Sequence, residues 1–266
     1  MNTSLRNVSP PNTDVPLRVC TLGGFHVWRD GDEISPAAWG REKALHLFQF
    51  FVTLRLQGLR LHREQIIERL WPGLDPDGGD RDFKVAIHAV NKVLEPNRKP
   101  RAEPQFIQRH DLTYDLNLEE IWIDAFAFEN LIAAGNQAGN RESAVAYYQQ
   151  ALTLYQGDFL PERRYEDWSS AERERLQVLA LGLMTTLAEM LLKNSPLESI
   201  RLTQHALAID PVWENAYRIQ IQAYLAQGNR PMALRTYQQC VKVLQSELAI
   251  GPLPETQAIY EQIKSE

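Results

Sequence analysis

Arg81-Asp82-Phe83-Lys84-Val85-Ala86-Ile87-His88-Ala89-Val90-Asn91-Lys92 is the stretch on which the fold turns. On a helical wheel at about 100° per residue, Phe83, Ile87, Val90 and the following Leu94 fall on one face. Arg81, Lys84, His88, Asn91 and Lys92 fall roughly opposite. The spacing predicts an amphipathic helix over about 80–94, with the apolar face against a core and a stripe of hydrogen-bond donors facing out.

The flanking sequence supplies what this helix would pack on. Asp75-Pro76-Asp77-Gly78-Gly79 reads as a turn. Before it, Ile66, Ile67, Leu70 and Trp71 give a buried face to a helix over 62–71, which Pro72-Gly73 ends. Leu45, Phe48, Phe51, Val52 and Leu56 recur at helical spacing and predict another over about 41–56, stopped by Gly58. Residues 17–28, LRVCTLGGFHVW, read as short strands broken at Gly23-Gly24, with a tight turn at Asp30-Gly31 and ISPAAW (34–39) closing a small sheet. After the prolines and charges of 95–104, QFIQRH and TYDLNL form a hairpin around His110-Asp111-Leu112. Strands, helix, helix, turn, helix, hairpin is the order of a winged helix-turn-helix, an α+β domain.

An outward stripe of donors suits readout of double-stranded DNA. Arg and Lys donate to guanine O6 and N7 in the major groove, and Asn pairs with adenine. The DNA-reading set expected is therefore Arg81, Lys84, His88, Asn91 and Lys92. Arg98 and Lys99, followed by Arg101, and Arg109 with His110 on the hairpin are placed for phosphate or minor-groove contact. Any solvated amphipathic helix also shows a polar stripe, and Asp80, Asp82 and Glu95 dilute the charge of this one.

From 124 onward the pattern is helical. Ala144, Tyr148 and Ala151 follow a small–aromatic–small spacing, and so do Ala233, Tyr237 and Cys240. Ser199, Thr203 and Ala206 keep the spacing with a polar centre. Ser199 and Ala233 are 34 residues apart, the period of tetratricopeptide (TPR) repeats. Small residues let antiparallel helices approach, an aromatic fills the notch, and neighbouring pairs stack because one pair cannot bury its own face. The expected fold is thus mainly α: a winged helix followed by an all-α, TPR-like domain suited to protein contacts. Trp39 and Trp71 are expected in the first core, and Trp168 and Trp213 between helix pairs.

Charge divides along the same line. Residues 17–117 carry 15 Lys/Arg against 14 Asp/Glu, and residues 118–266 carry 12 against 19. A less acidic half beside a more acidic one fits a nucleic-acid face joined to a protein face. Cys20 and Cys240 fall in different domains and read as reduced, buried thiols. The six histidines are scattered without metal-ligand spacing, Gly23-Gly24 lacks the Lys-Ser/Thr of a phosphate loop, and no nucleophile motif appears. No enzyme, cofactor or metal is expected, and no membrane segment. Residues 1–16 lack a signal pattern and read as a disordered lead-in, which makes the cytoplasm the expected location.

Gln156 to Leu176, QGDFLPERRYEDWSSAERERL, carries a resemblance. Tyr155-Gln156-Gly157-Asp158-Phe159-Leu160-Pro161, then Tyr165-Glu166-Asp167-Trp168, then Glu172-Arg173-Glu174-Arg175-Leu176 resemble the hallmark segment of the bacterial transcriptional activator domain (BTAD) family. Glu247 to Pro252 with Pro254-Glu255-Thr256 is similar to that family's C-terminal pattern. In SARP-like members the domain follows an OmpR-type winged helix, which 17–117 resembles, leaving 118–266 as the activator domain. The resemblance implies sequence-specific binding to promoter DNA, often at direct repeats, and recruitment of RNA polymerase. Self-association as a homodimer is compatible with it. Carboxylates at Asp158, Asp167 and Glu172 are expected to cap helices or pair with Arg163, Arg173 and Arg175. Two departures stand out. Ala89 and Asn91 replace arginines of the usual Ser-Arg-Leu-Arg-Arg run, and the wing turn reads Asp111-Leu112-Thr113-Tyr114 in place of Gly-x-Gly-Tyr. They keep alive a rival reading, a repeat-based adaptor whose winged helix binds protein instead of DNA.

Overall fold

The computed structural model describes residues 15–265; the lead-in expected at 1–16 lies almost wholly outside them. The chain divides into two compact units. One runs through Glu129 and takes up Leu154–Leu176; the other is Asn130–Thr153 with the chain from Gln177 onward.

In the first unit, β1 (Leu17–Cys20) pairs antiparallel with β2 (His26–Arg29), and β2 with β3 (Asp32–Glu33). Parallel to β1 on its other side lies β7 (Ile121–Ile123), a strand the sequence reading missed. ISPAAW does not close the sheet. Ile34 donates its N–H to Val27, but Pro36–Trp39 turn as a 3-10 helix. Proline has no N–H to give a ladder. The expected helices are present as α1 (Glu42–Leu56), α2 (Arg63–Leu70) and α3 (Pro76–Leu94). The hairpin is β5 (Ile107–His110) with β6 (Thr113–Leu116), and β4 (Leu61–His62) joins β6 to make a second, three-stranded sheet.

Helix α1 is apolar nearly all round and is buried accordingly. Leu47, Phe48, Phe50, Phe51 and Val52 are fully enclosed, whereas Leu45 and Leu56 are only partly so. The reason is that α1 is covered on two sides. Toward α3 and β6, Phe51 faces Tyr114. On the other side lies the segment from Tyr155 to Trp168: Phe50 meets Trp168 edge-on, and Gln49 exchanges hydrogen bonds with Glu162 and Arg163 at 2.7 Å each. Phe159 and Leu160 are wholly buried, and Leu160 donates to the Thr21 carbonyl while Gly23 donates to that of Asp158. A Cβ on Gly23 would lie 2.9 Å from the Gln156 carbonyl carbon, so this approach needs the glycine. The expected boundary at 117/118 is therefore not where the compact units divide, because β7 completes the first sheet and the hallmark segment completes the first core.

Within the first unit, Asp124 ties the start of the next helix to the end of β1. Its buried carboxylate, at the start of α4 (Asp124–Gln137), accepts from the N–H groups of Thr21, Leu22 and Ala125 and from the Thr21 hydroxyl, all within 2.7–2.9 Å. Burial pushes its pKa up to about 6 against the pull of these donors.

The second unit is helical: the later part of α4, α5 (Arg141–Leu154) up to Thr153, α6 (Asp167–Leu191) from Gln177, α7 (Pro196–Ile209), α8 (Glu214–Ala226), α9 (Arg230–Leu248) and α10 (Pro254–Ser265). The small residues read as a repeat form the packing seam. Ala144, Ala151, Ser199, Ala206, Ala233 and Cys240 are all buried. Tyr148 fills the notch over Gly135, where a Cβ would lie 2.3 Å from its ring, and its hydroxyl donates to Asn136. Ile221 and Ala233 pack with Ile259 and Ile263 of α10, and Tyr237 stacks on Tyr260 at 4.1 Å. Burial holds the Cys240 thiol protonated, with its pKa pushed up to about 12, and raises that of Cys20 as well. Trp213 is half-buried, short of the core position expected for it.

Candidate nucleic-acid interface

The helix-turn-helix is built by two caps. His62 precedes α2, accepting at Nδ1 from the Glu64 N–H, while the Gln65 side chain accepts from the His62 N–H. Asp75 caps α3 by accepting from the Gly78 N–H at 2.8 Å, and Pro76 takes the first helical position. Helix α3 thus begins four residues before the expected 80, and Asp75-Pro76 is a helix start where a turn was read. An N-terminal Pro costs a helix nothing, because its missing N–H would have no partner there. Gly78 and Gly79 are helical and buried, and a Cβ on Gly79 would lie 2.6 Å from Ile67 Cγ2 of α2. That close approach seats the first turn of α3 against α2.

The inner face of α3 is Phe83, Ala86, Val90 and Leu94, with Phe83 edge-on to Tyr114 of the wing at 5.0 Å. Ile87 is only half-buried. Outward, the side chains of Arg81 and Lys84 are 77% and 68% exposed, and His88 and Lys92 are exposed too. Asn91 departs from expectation. It is 7% exposed, with a buried side-chain oxygen lacking a hydrogen-bond partner, and does not belong to the outward set. The physical reason is angular: Asn91 sits only about 80° round the helix from Phe83, on the flank rather than the far side.

Two carboxylates of α3, Asp80 and Asp82, are held by cations. Asp80 lies 2.8 Å from Arg63 and 2.5 Å from Lys84; Asp82 is bound by Lys43 and lies 3.8 Å from Arg81. The hydrogen bond from Lys84 holds the Asp80 carboxyl below its ordinary range, and that from Lys43 does the same for Asp82. Arg63 and Lys43 come from α2 and α1, so the diluting acids are neutralised partly from neighbouring elements. Of these partners, the Asp80–Lys84 pair was legible from its i,i+4 spacing; Arg63 and Lys43 join through tertiary packing that no local pattern records.

Beyond α3 the cations are unequal. Arg98 is three-quarters buried beside Glu95, at 4.0 Å, and Glu95 also accepts from the Gln105 N–H. Lys99 and Arg101 are exposed. On the wing, Arg109 is exposed and donates from Nε to the Asp111 carbonyl at 2.6 Å, closing the turn. Asp111 takes the left-handed conformation that the family's glycine would supply, with φ 55°. Leu112 accepts from the Arg63 N–H, which ties the wing tip to the start of α2. The structure therefore brings Arg81, Lys84, His88 and Lys92 together on one helix face, sets Arg109 on the wing, leaves Lys99 exposed, and turns Arg98 and Asn91 inward.

The charged residues of the hallmark segment work within the first unit. Arg173 donates to the carbonyls of Phe159, Arg163 and Arg164, and Arg175 pairs with Glu172 and Glu129 at 2.5 Å. Asp158 pairs with Arg164 at 3.6 Å, a partner outside the three arginines expected. Such arrangements hold the loop in place. Among the described residues no group of His, Cys, Asp and Glu is placed to hold a metal ion, and no helix is long and apolar enough to cross a membrane.

A family model described as bacterial transcriptional activator domain matches residues 123–264. The chain belongs to this family. Among curated proteins it is similar to Regulatory protein AfsR of Streptomyces coelicolor, with 23% identity over 248 residues. It is similar also to that of Streptomyces griseus, with 23% over 262 residues. These matches cover 93% and 97% of this chain but 24% and 26% of the relatives, so the chain spans about a quarter of their length. Among solved structures it is similar to Mycobacterium tuberculosis EmbR in complex with a low affinity phosphopeptide. That match has a TM-score of 0.80 and 20% identity, and covers 95% of this chain and 66% of that one. The likeness bears out the fold expected of the activator-domain family, a small N-terminal β region followed by mostly helical structure, and both curated relatives are named as regulatory proteins.

Proposed function

We propose that this chain is a DNA-binding transcription regulator acting as an activator, in which α3 enters the major groove of promoter DNA and the β5–β6 wing lies along the backbone. The observation that carries the reading is the outward face of α3. Four donors, Arg81, Lys84, His88 and Lys92, are exposed on a helix whose inner face is locked to α2 and the wing. A recognition helix needs that combination, rigid behind and donor-rich in front. On this reading Arg109 and Lys99, both exposed, contact phosphates, while Arg98, turned toward Glu95, does not. The helical repeats serve protein contact, with RNA polymerase or a second copy of the chain as the partners in view.

The adaptor reading draws on one specific observation: α3 itself carries three acids, Asp77, Asp80 and Asp82, against Arg81, Lys84 and Lys92. Without Arg63 and Lys43 the helix would be neutral and poorly drawn to phosphate. One experiment separates the two. Genomic fragments are captured with the purified chain and with a Lys84→Ala/Lys92→Ala variant shown to be folded. Discrete fragments retained by the first and lost by the second support promoter recognition through α3. Absence of enrichment at low and moderate salt sinks it and favours the adaptor.

A further inference from the structure

One residue bordering the donors on the outward side of α3 is apolar. Val85 is 41% exposed. Its helix neighbours are Arg81 one turn before, Lys84 beside it, His88 three residues on and Lys92 seven on, all exposed. Ala89, one turn after Val85 and half-buried, continues the apolar strip. Single exposed apolar residues are common on proteins. This one borders the row of donors, with Lys92, Arg81, His88 and Lys84 all to one side of it round the helix and Ala89 to the other, at the edge of the face that the proposed function puts against base edges.

We propose that Val85, with Ala89 beside it, reads the 5-methyl group of thymine in the major groove. The inference rests on the DNA-binding reading and adds a base to it. Thymine is the base that presents a methyl group in that groove, and apolar side chains recognise it by contact. The flanking donors cannot distinguish thymine in this way: Arg and Lys seek guanine edges or phosphates. Val85 and Ala89 are about 6 Å apart along the helix axis. That is near two base steps of about 3.4 Å, so the strip can span thymines two steps apart on one strand.

The test uses the full chain and duplexes it enriches from a random DNA pool. Each thymine of the enriched site is replaced in turn by deoxyuridine, which lacks only the methyl group. Affinities are measured for the unaltered chain and for Val85→Ala, whose fold is checked by circular dichroism. The expected result is one or more thymines whose replacement weakens the unaltered chain about fourfold, the worth of one buried methyl group. The same replacement then weakens Val85→Ala less than about twofold. A flat deoxyuridine scan, or an equal penalty in both proteins, overturns the inference while leaving Lys84- and Lys92-dependent binding intact. Failure to enrich any duplex overturns the inference together with the DNA-binding reading beneath it.

Discussion

Replacing Gly79 by alanine sets two known effects against each other. Its φ is not in the left-handed region, so backbone strain plays no part. Alanine in a helix is favoured over glycine by about 1 kcal/mol. Against that, the new Cβ would meet Ile67 Cγ2 at 2.6 Å. Cγ2 is a branch methyl on a stiff χ1 and cannot swing aside as a chain end could. Overpacking of this kind costs about 1–3 kcal/mol, so Gly79→Ala should come out neutral to about 2 kcal/mol destabilising. Gly182, inside α6, would carry a Cβ with nothing within 4 Å of it, so Gly182→Ala should stabilise by about 1 kcal/mol. The assay is equilibrium urea unfolding with the slope held in view, since a shifted midpoint at constant slope reports stability. In an Ile67→Ala background the penalty at 79 should vanish and the helix gain reappear. If Gly79→Ala raises the midpoint as much as Gly182→Ala does, the close seating of α3 on α2 is wrong, and with it the rigid presentation of the outward face.

Three further outcomes follow. Asp124→Asn keeps the shape but turns an NH2 group toward N–H donors that the carboxylate satisfied, so unfolding should shift by about 1–3 kcal/mol for each donor left bare; a shift under about 0.5 kcal/mol, within the range of ordinary surface substitutions, refutes the role given to it. His46 accepts from Trp168 Nε1 at 3.2 Å, which requires a neutral ring nitrogen. Burial lowers its pKa, as does Arg163, against Glu166 and Glu42. With the folded pKa below the unfolded 6.5, its contribution is whole above pH 6.5 and is lost as pH falls through the folded value. Stability measured from about pH 7.5 to about pH 5 should therefore decline by more in the unaltered chain than in His46→Gln, and equal slopes would exclude the histidine. Tyr148→Ala empties the notch over Gly135 and should cost about 3–5 kcal/mol, as for large aromatics in cores; a loss below about 1 kcal/mol would show that the notch contributes little to holding the repeats together.

How much of this was legible follows from how local each signal is. The three helices and the wing hairpin rest on periodicity and turn residues, and they stand where the pattern put them except at the start of α3, which comes four residues early. The small-residue seam of the repeats is readable for the same reason, since Ala144 and Ala151, Ser199 and Ala206, and Ala233 and Cys240 share one spacing of 7. Asp75-Pro76 misled because the same dipeptide opens turns and caps helices, and only the seating of Gly79 on Ile67 decides between them. Asn91 misled because a polar residue on a helix flank looks outward until the neighbouring elements are placed. The strand Ile121–Ile123 was too short to announce itself beside a helix. Least legible was the hallmark segment. Its residues carried the family, but nothing local says that Phe159 and Leu160 fill the core under the N-terminal sheet or that Trp168 packs on α1. Those contacts join residues more than a hundred positions apart.

The central claim, that the outward face of α3 binds DNA, is tested most directly by the salt dependence of binding to an enriched duplex. The unaltered chain is compared with Arg81→Ala/Lys84→Ala/Lys92→Ala. Each phosphate neutralised contributes about 0.9 to the slope of log affinity against log salt. The account predicts a variant that binds more weakly, with a slope shallower by up to about 2.7 if all three side chains engage phosphate, and less where one engages a base. An unchanged affinity and an unchanged slope would contradict it and place the DNA contact, if there is one, on another face of the chain.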